Sequence, residues 1–250
     1  MNLNKEQGPR RLSWINCLVR VLSLPRAVCL YLRLGRRSPA SILWLESSQG
    51  KPWRAVWDIC AARLLRRLQV ATDWAVTPVI DWPVGIPRRC VIAFFHSNWD
   101  AIIAREFAKH SFCLVRTNDR WGSRFLGGQH IGWQNPSGLL RLIRSVAAGA
   151  RSAVAMDDFI NDPAIAFAGT QKGLSAAPLR IAALTRAPLV PVWPVYERGT
   201  LRFIIGPCID VPRNPAGADE ALRLVGHFFE DAVHRHPASW RRILKFLDIV

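Results

Sequence analysis

Short apolar runs alternate with amphipathic stretches along the chain from residue 90 onward. The apolar runs have the length and composition of strands buried in a parallel sheet. They are residues 90–95, 112–115, 153–156, 188–195 and 201–205. The intervening stretches have the apolar spacing of helices, at residues 98–110, 139–148, 174–184 and 219–235. Strands that alternate with helices predict an α/β fold, in which a mostly parallel central sheet is flanked by helices.

The first part of the chain differs in charge and pattern. Residues 1–70 contain 13 Lys and Arg against three Asp and Glu, out of a net charge of +16 for the protein. These arginines alternate with Leu, Val, Ile and Trp, a pattern typical of helices that lie in a lipid interface. We predict helices at residues 10–34 and 53–70. Residues 1–75 would then be a basic amphipathic membrane-docking region, and residues 76–250 a single α/β domain.

The longest apolar stretch in this region is interrupted. Residues 14–34 contain Arg20, Pro25, Arg26 and Arg33, and a spanning helix needs about 20 predominantly apolar residues. We therefore expect no membrane span. We also expect no cleaved secretory signal, because no convincing small-residue cleavage site follows the apolar stretch. We expect a peripheral or monotopic protein on the cytoplasmic face of the inner membrane.

The basic surface would attract polyanions, which include nucleic acid, an anionic lipid leaflet and an acidic carrier protein. The sequence contains no recognised nucleic-acid-binding motif, and its arginines have apolar neighbours rather than Gly and Ser. We therefore favour the membrane surface and do not expect nucleic acid as a partner. The alternative is a non-enzymatic binder of anionic membrane or nucleic acid.

The cysteines and glycines give no indication of a metal or cofactor. The six cysteines form no CxxC pair, so we expect reduced, mostly buried thiols and no metal site. Neither a Walker loop nor a Rossmann glycine motif is present. A GxSxG nucleophile motif is also missing, and no cysteine is close to His96 in the sequence. A covalent acyl intermediate is therefore not expected.

One histidine stands at the carboxyl end of a predicted buried strand. His96 follows residues 90–95, and Asp100 comes four residues later. Such a histidine can act as a general base whose tautomer is set by the carboxylate. In the structural alternative the histidine ends the strand and Asp100 complements the dipole of the following helix.

Further polar residues follow the next predicted strands. Arg116 comes after residues 112–115, and Asp157 and Asp158 come after residues 153–156. In open parallel sheets, functional residues collect beyond the carboxyl ends of the strands. These residues are therefore expected on the same side as His96.

Several segments resemble the lysophospholipid acyltransferase superfamily, and most closely the late acyltransferases of lipid A biosynthesis. The first is Phe95-His96-Ser97-Asn98-Trp99-Asp100, which is similar to the family's histidine-to-acid motif. The similarity continues through residues 139–149 and 152–158, Gly169-Thr170-Gln171-Lys172-Gly173, Ala187-Pro188-Leu189-Val190-Pro191-Val192 and residues 237–242. One departure is the spacing, because the family usually has four residues between the histidine and the acid and this chain has three.

The resemblance implies an O-acyltransferase that moves a fatty acyl group from acyl-CoA or acyl carrier protein to a hydroxyl of a lipid. The acceptor would be a lysophospholipid or a lipid A-like glycolipid. His96 would be the base and Asp100 its orienting partner. The resemblance makes seven further residues substrate-binding candidates: Asn98, Arg116, Arg120, Arg124, Asp157, Asp158 and Lys172. Among these, the three arginines suit phosphate because guanidinium forks bind it well.

Overall fold

The chain begins with three helices. A computed structural model describes residues 7–71, 79–83, 85–110, 112–116, 130–132, 136–157, 174–197 and 200–247. The helices are α1 (Gln7–Arg37), α2 (Pro39–Gln49) and α3 (Pro52–Ala71). The predicted helices at 10–34 and 53–70 lie within α1 and α3. Helix α2 was not predicted; Pro39 occupies its first turn, and Gly50 ends it in the left-handed conformation with φ 62°.

Strands and helices alternate through the rest of the chain. The strands are β1 (Val79–Asp81), β2 (Cys90–Phe94), β3 (Phe112–Arg116), β4 (His130–Gly132), β5 (Arg151–Ala155), β6 (Leu189–Glu197) and β7 (Thr200–Ile205). The helices are α4 (Asp100–Lys109), α5 (Pro136–Ala147), α6 (Ala177–Thr185), α7 (Pro215–Arg235) and α8 (Ile243–Phe246), with a 3₁₀ turn at Pro237–Ser239. The predicted α/β class with a mostly parallel sheet and preceding helices is confirmed.

The strands form one sheet in the order β1-β7-β6-β2-β5-β3-β4. Strand β2 pairs in parallel with β5 on one side and with β6 on the other. Strands β3 and β5, β3 and β4, and β1 and β7 are also parallel pairs. Four of the five residues of β2 are buried, as expected for a central strand with both faces covered.

The tight turn between α5 and β5 depends on a glycine. The sequence predicted a helix end at Gly149, and this residue has φ 105°. The Gly149 amide donates a hydrogen bond to the Val146 carbonyl, and the Ala150 amide donates one to the Ser145 carbonyl. Glycine adopts this backbone conformation without steric cost. The turn therefore ends α5 immediately before β5.

Two compact units are defined by the contacts within the chain. One contains Met1–Trp82, Pro194–Phe203 and Ala232–Val250, and the other contains Pro83–Trp193 and Ile204–Asp231. In the first unit, Asn16 and Tyr196 are hydrogen-bonded at 3.0 Å, and Tyr31 packs edge-on against Trp53. The second unit contains β2, β5 and the segment around His96. The predicted division at residue 75 between docking region and catalytic domain stays a prediction.

From residue 15 onward, where its side chains are described, helix α1 buries one narrow stripe and exposes many apolar side chains. The buried stripe is Val19, Ser23, Ala27 and Leu34. The exposed apolar residues are Leu18, Val21, Leu22, Leu24, Val28 and Leu32. Within α1, Ile15–Arg37 is long and apolar enough by length and composition to cross a membrane. The sequence predicted no membrane-spanning helix, whereas this helix meets the length and composition of one.

Candidate active site

His96 and Asp157 stand at equivalent positions after two neighbouring strands. Each lies two residues beyond its strand, because β2 ends at Phe94 and β5 ends at Ala155. The parallel register pairs Phe94 with Ala155, and the Met156 amide donates a 2.9 Å hydrogen bond to the Phe94 carbonyl. The same pairing therefore brings the side chain of Asp157 next to His96.

A single carboxylate oxygen contacts both the ring and the backbone amide of His96. Oδ1 of Asp157 lies 2.7 Å from Nδ1 of the His96 ring. The same Oδ1 accepts a 3.1 Å hydrogen bond from the His96 amide. The Asp157 side chain is 0% exposed and the His96 side chain is 24% exposed. The site thus combines a buried carboxylate with an imidazole that reaches solvent.

The backbone before His96 is anchored by an aromatic cluster. Phe95 is 1% exposed, and its ring stacks on Phe229 of α7 with the centroids 4.2 Å apart. Trp193 of β6 packs against Phe95 edge-on at 5.6 Å. Because successive side chains of an extended segment point to opposite faces, burying Phe95 on one side directs His96 to the other.

The side chains of Ser97 and Asp100 hold the turn that leads into α4. The Ser97 amide donates a 2.6 Å hydrogen bond to Oδ1 of Asp100, and the Trp99 amide donates a 3.2 Å bond to Oγ of Ser97. The two bonds close the turn of residues 97–100, which leads into α4, whose N-cap residue is Trp99. The amides of Ile102 and Ile103 then donate to the Trp99 carbonyl and begin the helical pattern. Asp100 therefore shapes the turn that follows His96.

The other predicted site residues are described to different extents. Asn98 is buried in the turn between His96 and α4, with 4% exposure. Arg116 is the last residue of β3, where its backbone pairs with Gly132. The remaining candidates lie outside the described residues: Arg120, Arg124, Asp158 and Lys172. Their predicted roles stay predictions.

Two buried cysteines lie near the beginnings of β2 and β3, at the other end of these strands from His96. Cys90 in β2 and Cys113 in β3 are both buried. Burial raises the pKa of the Cys90 thiol to about 12, although Arg151 opposes this shift. Burial also raises the pKa of Cys113, and a hydrogen bond with the Ser145 side chain opposes it. Both thiols are therefore protonated at neutral pH and poorly suited to act as nucleophiles. The expectation of mostly buried thiols fits Cys60, Cys90 and Cys113, whereas Cys17, Cys29 and Cys208 are exposed.

The sequence indicated both members of the histidine–carboxylate pair but did not connect them. Asp157 was predicted as a substrate-binding residue at a strand end, and Asp100 was predicted as the carboxylate that orients His96. The available signal was positional, since the polar residue stands at the same offset after two predicted strands. Using this signal would have required knowing that β2 and β5 are neighbours.

No protein-family profile matches this chain, and no curated protein sequence matches it either. Its structure is similar to that of the 1-acyl-sn-glycerophosphate (LPA) acyltransferase PlsC from Thermotoga maritima. That similarity covers 85% of this chain and 97% of the other, with a TM-score of 0.40 and 11% identity.

Proposed function

We propose that this protein is a membrane-associated O-acyltransferase in which His96 is the general base. The observation that supports this most directly is the placement of the imidazole. His96 follows a central parallel strand, is partly exposed, and has its Nδ1 atom 2.7 Å from a buried carboxylate. Such a ring presents Nε2 to a substrate hydroxyl. The resemblance of residues 95–100 to the histidine-to-acid motif of lysophospholipid acyltransferases adds independent support.

The reaction needs one proton acceptor and no covalent intermediate on the protein. Nε2 of His96 takes the proton of the acceptor hydroxyl as its oxygen attacks the thioester carbonyl. The C–S bond then breaks, the new ester forms, and the imidazolium returns the proton to the leaving thiolate.

The proposed substrates are those implied by the sequence resemblance. The donor is an acyl-CoA or an acyl carrier protein, and the acceptor is a lysophospholipid or a lipid A-like glycolipid. Arg116, Arg120 and Arg124 are proposed to bind acceptor phosphate, with Asn98, Asp158 and Lys172 as further substrate-binding residues. No cofactor is proposed.

The exposed face of α1 supports a membrane location for this chemistry. At about 100° per residue, Val21, Val28 and Leu32 lie opposite the buried stripe, while Arg20 and Arg26 flank the apolar face. An apolar face bordered by cations suits insertion into an anionic lipid leaflet. We propose that α1 lies in the cytoplasmic leaflet of the inner membrane, with its buried stripe held by the protein.

The experiment that tests the activity uses two histidine variants. Purified protein would be assayed with long-chain acyl-CoA or acyl carrier protein and lysophospholipid or lipid A precursor. We expect His96→Ala to lose roughly 10²- to 10⁴-fold in kcat, the usual contribution of a general base. His227→Ala, at a 64% exposed side chain on α7, is the matched control and should retain activity. Full activity of His96→Ala would refute the proposed function.

Lipid mass spectrometry separates the enzymatic proposal from the non-enzymatic alternative. Cells that express the wild-type chain should contain an acyl lipid species that cells expressing His96→Ala lack. That species would identify the acceptor. A surface binder without catalysis would give identical lipid profiles for the two proteins.

A further inference from the structure

We propose that Asp157, rather than Asp100, is the positioning carboxylate of His96, and that Asp100 holds the turn that leads into α4. This assignment rests on the proposed function, in which His96 is the general base. In this assignment Asp157 acts on the imidazole of His96, and Asp100 acts on the backbone through the Ser97 amide.

The geometry at Asp157 suits control of both the orientation and the tautomer of the ring. Its Oδ1 is 2.7 Å from Nδ1 and also accepts the His96 amide. The second bond fixes the carboxylate relative to the backbone of the residue whose ring it holds. A carboxylate at Nδ1 favours the tautomer with the proton on that atom, which leaves Nε2 as the base. Asp157 does not reach the reacting atoms and acts through the ring.

Burial adds to this effect. The Asp157 side chain is fully buried, so water does not compete for the hydrogen bond to His96. A buried carboxylate also needs strong donors to offset the loss of hydration. The loss of hydration that makes it costly to bury the Asp157 carboxylate also strengthens its hydrogen bond to the imidazole. The negative charge of this carboxylate stabilises the imidazolium that forms during acyl transfer.

The shortened spacing explains the different position of Asp100. With three residues between His96 and Asp100, the acid stands at the first residue of α4. There its Oδ1 accepts a 2.6 Å hydrogen bond from the Ser97 amide and so closes the turn before the helix. The HxxxD spacing thus places its acid on the helix terminus, while β5 delivers a second carboxylate to Nδ1.

The proposal is tested by replacing each carboxylate with the amide of the same size. In the full chain, we expect Asp157→Asn to lower kcat roughly 10²- to 10⁴-fold, while KM for the acyl donor changes less than threefold or so. Asp100→Asn should lower kcat much less than Asp157→Asn does. Asp219→Asn, at an exposed residue of α7, is the matched control for the chemical change and should retain wild-type kinetics.

A spectroscopic measurement on the wild-type protein keeps the test independent of variant folding. The ¹⁵N shifts of labelled His96 report which ring nitrogen carries the proton in the neutral form. We expect the proton on Nδ1. A neutral ring protonated on Nε2 would overturn the proposal, as would a larger kcat loss in Asp100→Asn than in Asp157→Asn. If His96→Ala is inactive while Asp157→Asn is fully active, the acyltransferase assignment survives and the role of Asp157 is refuted.

Discussion

At the scale of single residues, one oxygen atom links the backbone and the chemistry of the site. Oδ1 of Asp157 accepts bonds from the amide and the ring of the same histidine. A shift of the chain after β2 would therefore also disturb the ring. His96 is therefore positioned by two sets of contacts: those of its own amide and ring with Asp157, and the stacking of the preceding residue, Phe95, on Phe229.

The buried thiols give a prediction at the same scale. With a pKa of about 12, Cys90 has a thiolate fraction of only about 10⁻⁴ at pH 8. We expect iodoacetamide at that pH to alkylate the exposed Cys17 and Cys29 in the native protein while Cys90 and Cys113 stay unmodified. Peptide mass spectrometry measures each site, with urea-unfolded protein as the control in which all six cysteines react. Rapid native alkylation of Cys90 would show that this thiol is accessible and ionised.

At the scale of elements, the side chains of Ser97 and Asp100 hold the turn that leads into α4. Oδ1 of Asp100 accepts from the Ser97 amide and Oγ of Ser97 accepts from the Trp99 amide, so both side chains contribute to one turn. His96 directly precedes this turn. The stability of this turn therefore affects the position of His96, although neither Ser97 nor Asp100 takes part in the proposed reaction.

A mutational cycle tests the contribution of this turn. We expect Ser97→Ala to lower the free energy of unfolding by about 1 kcal/mol, the usual net contribution of one hydrogen bond, and Asp100→Ala to have a similar effect. Because the two residues form one motif, the double variant should lose less than the sum of the single losses. Urea unfolding followed by circular dichroism gives the three values. Strict additivity would mean that the two residues act separately.

The sequence predicted the long or central elements well and the short edge elements poorly. The runs at 90–95 and 188–195 are continuous apolar segments, and they form β2 and β6 nearly as predicted. Strands β1 and β4 have three residues each and lie at the two edges of the sheet. Three residues are too few to show a periodicity. Such strands form because a neighbouring strand supplies the hydrogen bonds, which local sequence does not reveal.

At the scale of the whole molecule, the order of the strands creates the site. His96 and Asp157 are 61 residues apart in the chain, and they meet because β5 pairs with β2 in register. The sequence predicted Asp100 as the partner of His96, because a pair four residues apart can be inferred without knowing the strand order. The pair of His96 and Asp157 depends on which strands are neighbours in the sheet. That order is determined by packing among several elements, so local sequence does not reveal it.

The charge and the apolar face of α1 lead to a prediction about membrane binding by the complete chain. Val28 on α1 and Leu224 on α7 have similar exposure, 41% and 39%. Val28→Asp and Leu224→Asp therefore make the same change in net charge at comparably exposed apolar positions. We expect Val28→Asp to weaken binding to vesicles of phosphatidylcholine and phosphatidylglycerol by at least about tenfold. Keeping one Val side chain out of the apolar phase costs roughly 1.5 kcal/mol, which is a factor of about ten in affinity.

The matched variant and a salt titration make this result specific. Leu224→Asp should bind the vesicles much as the wild-type chain does, because its added charge is the same and only the apolar contact differs. Vesicle binding by the wild type should persist partly at high salt, whereas binding to duplex DNA should fall steeply with salt through loss of counterion release. Equal weakening by the two variants would indicate that charge alone governs binding. DNA binding that exceeds vesicle binding across the titration would favour a nucleic-acid partner and contradict the insertion of α1.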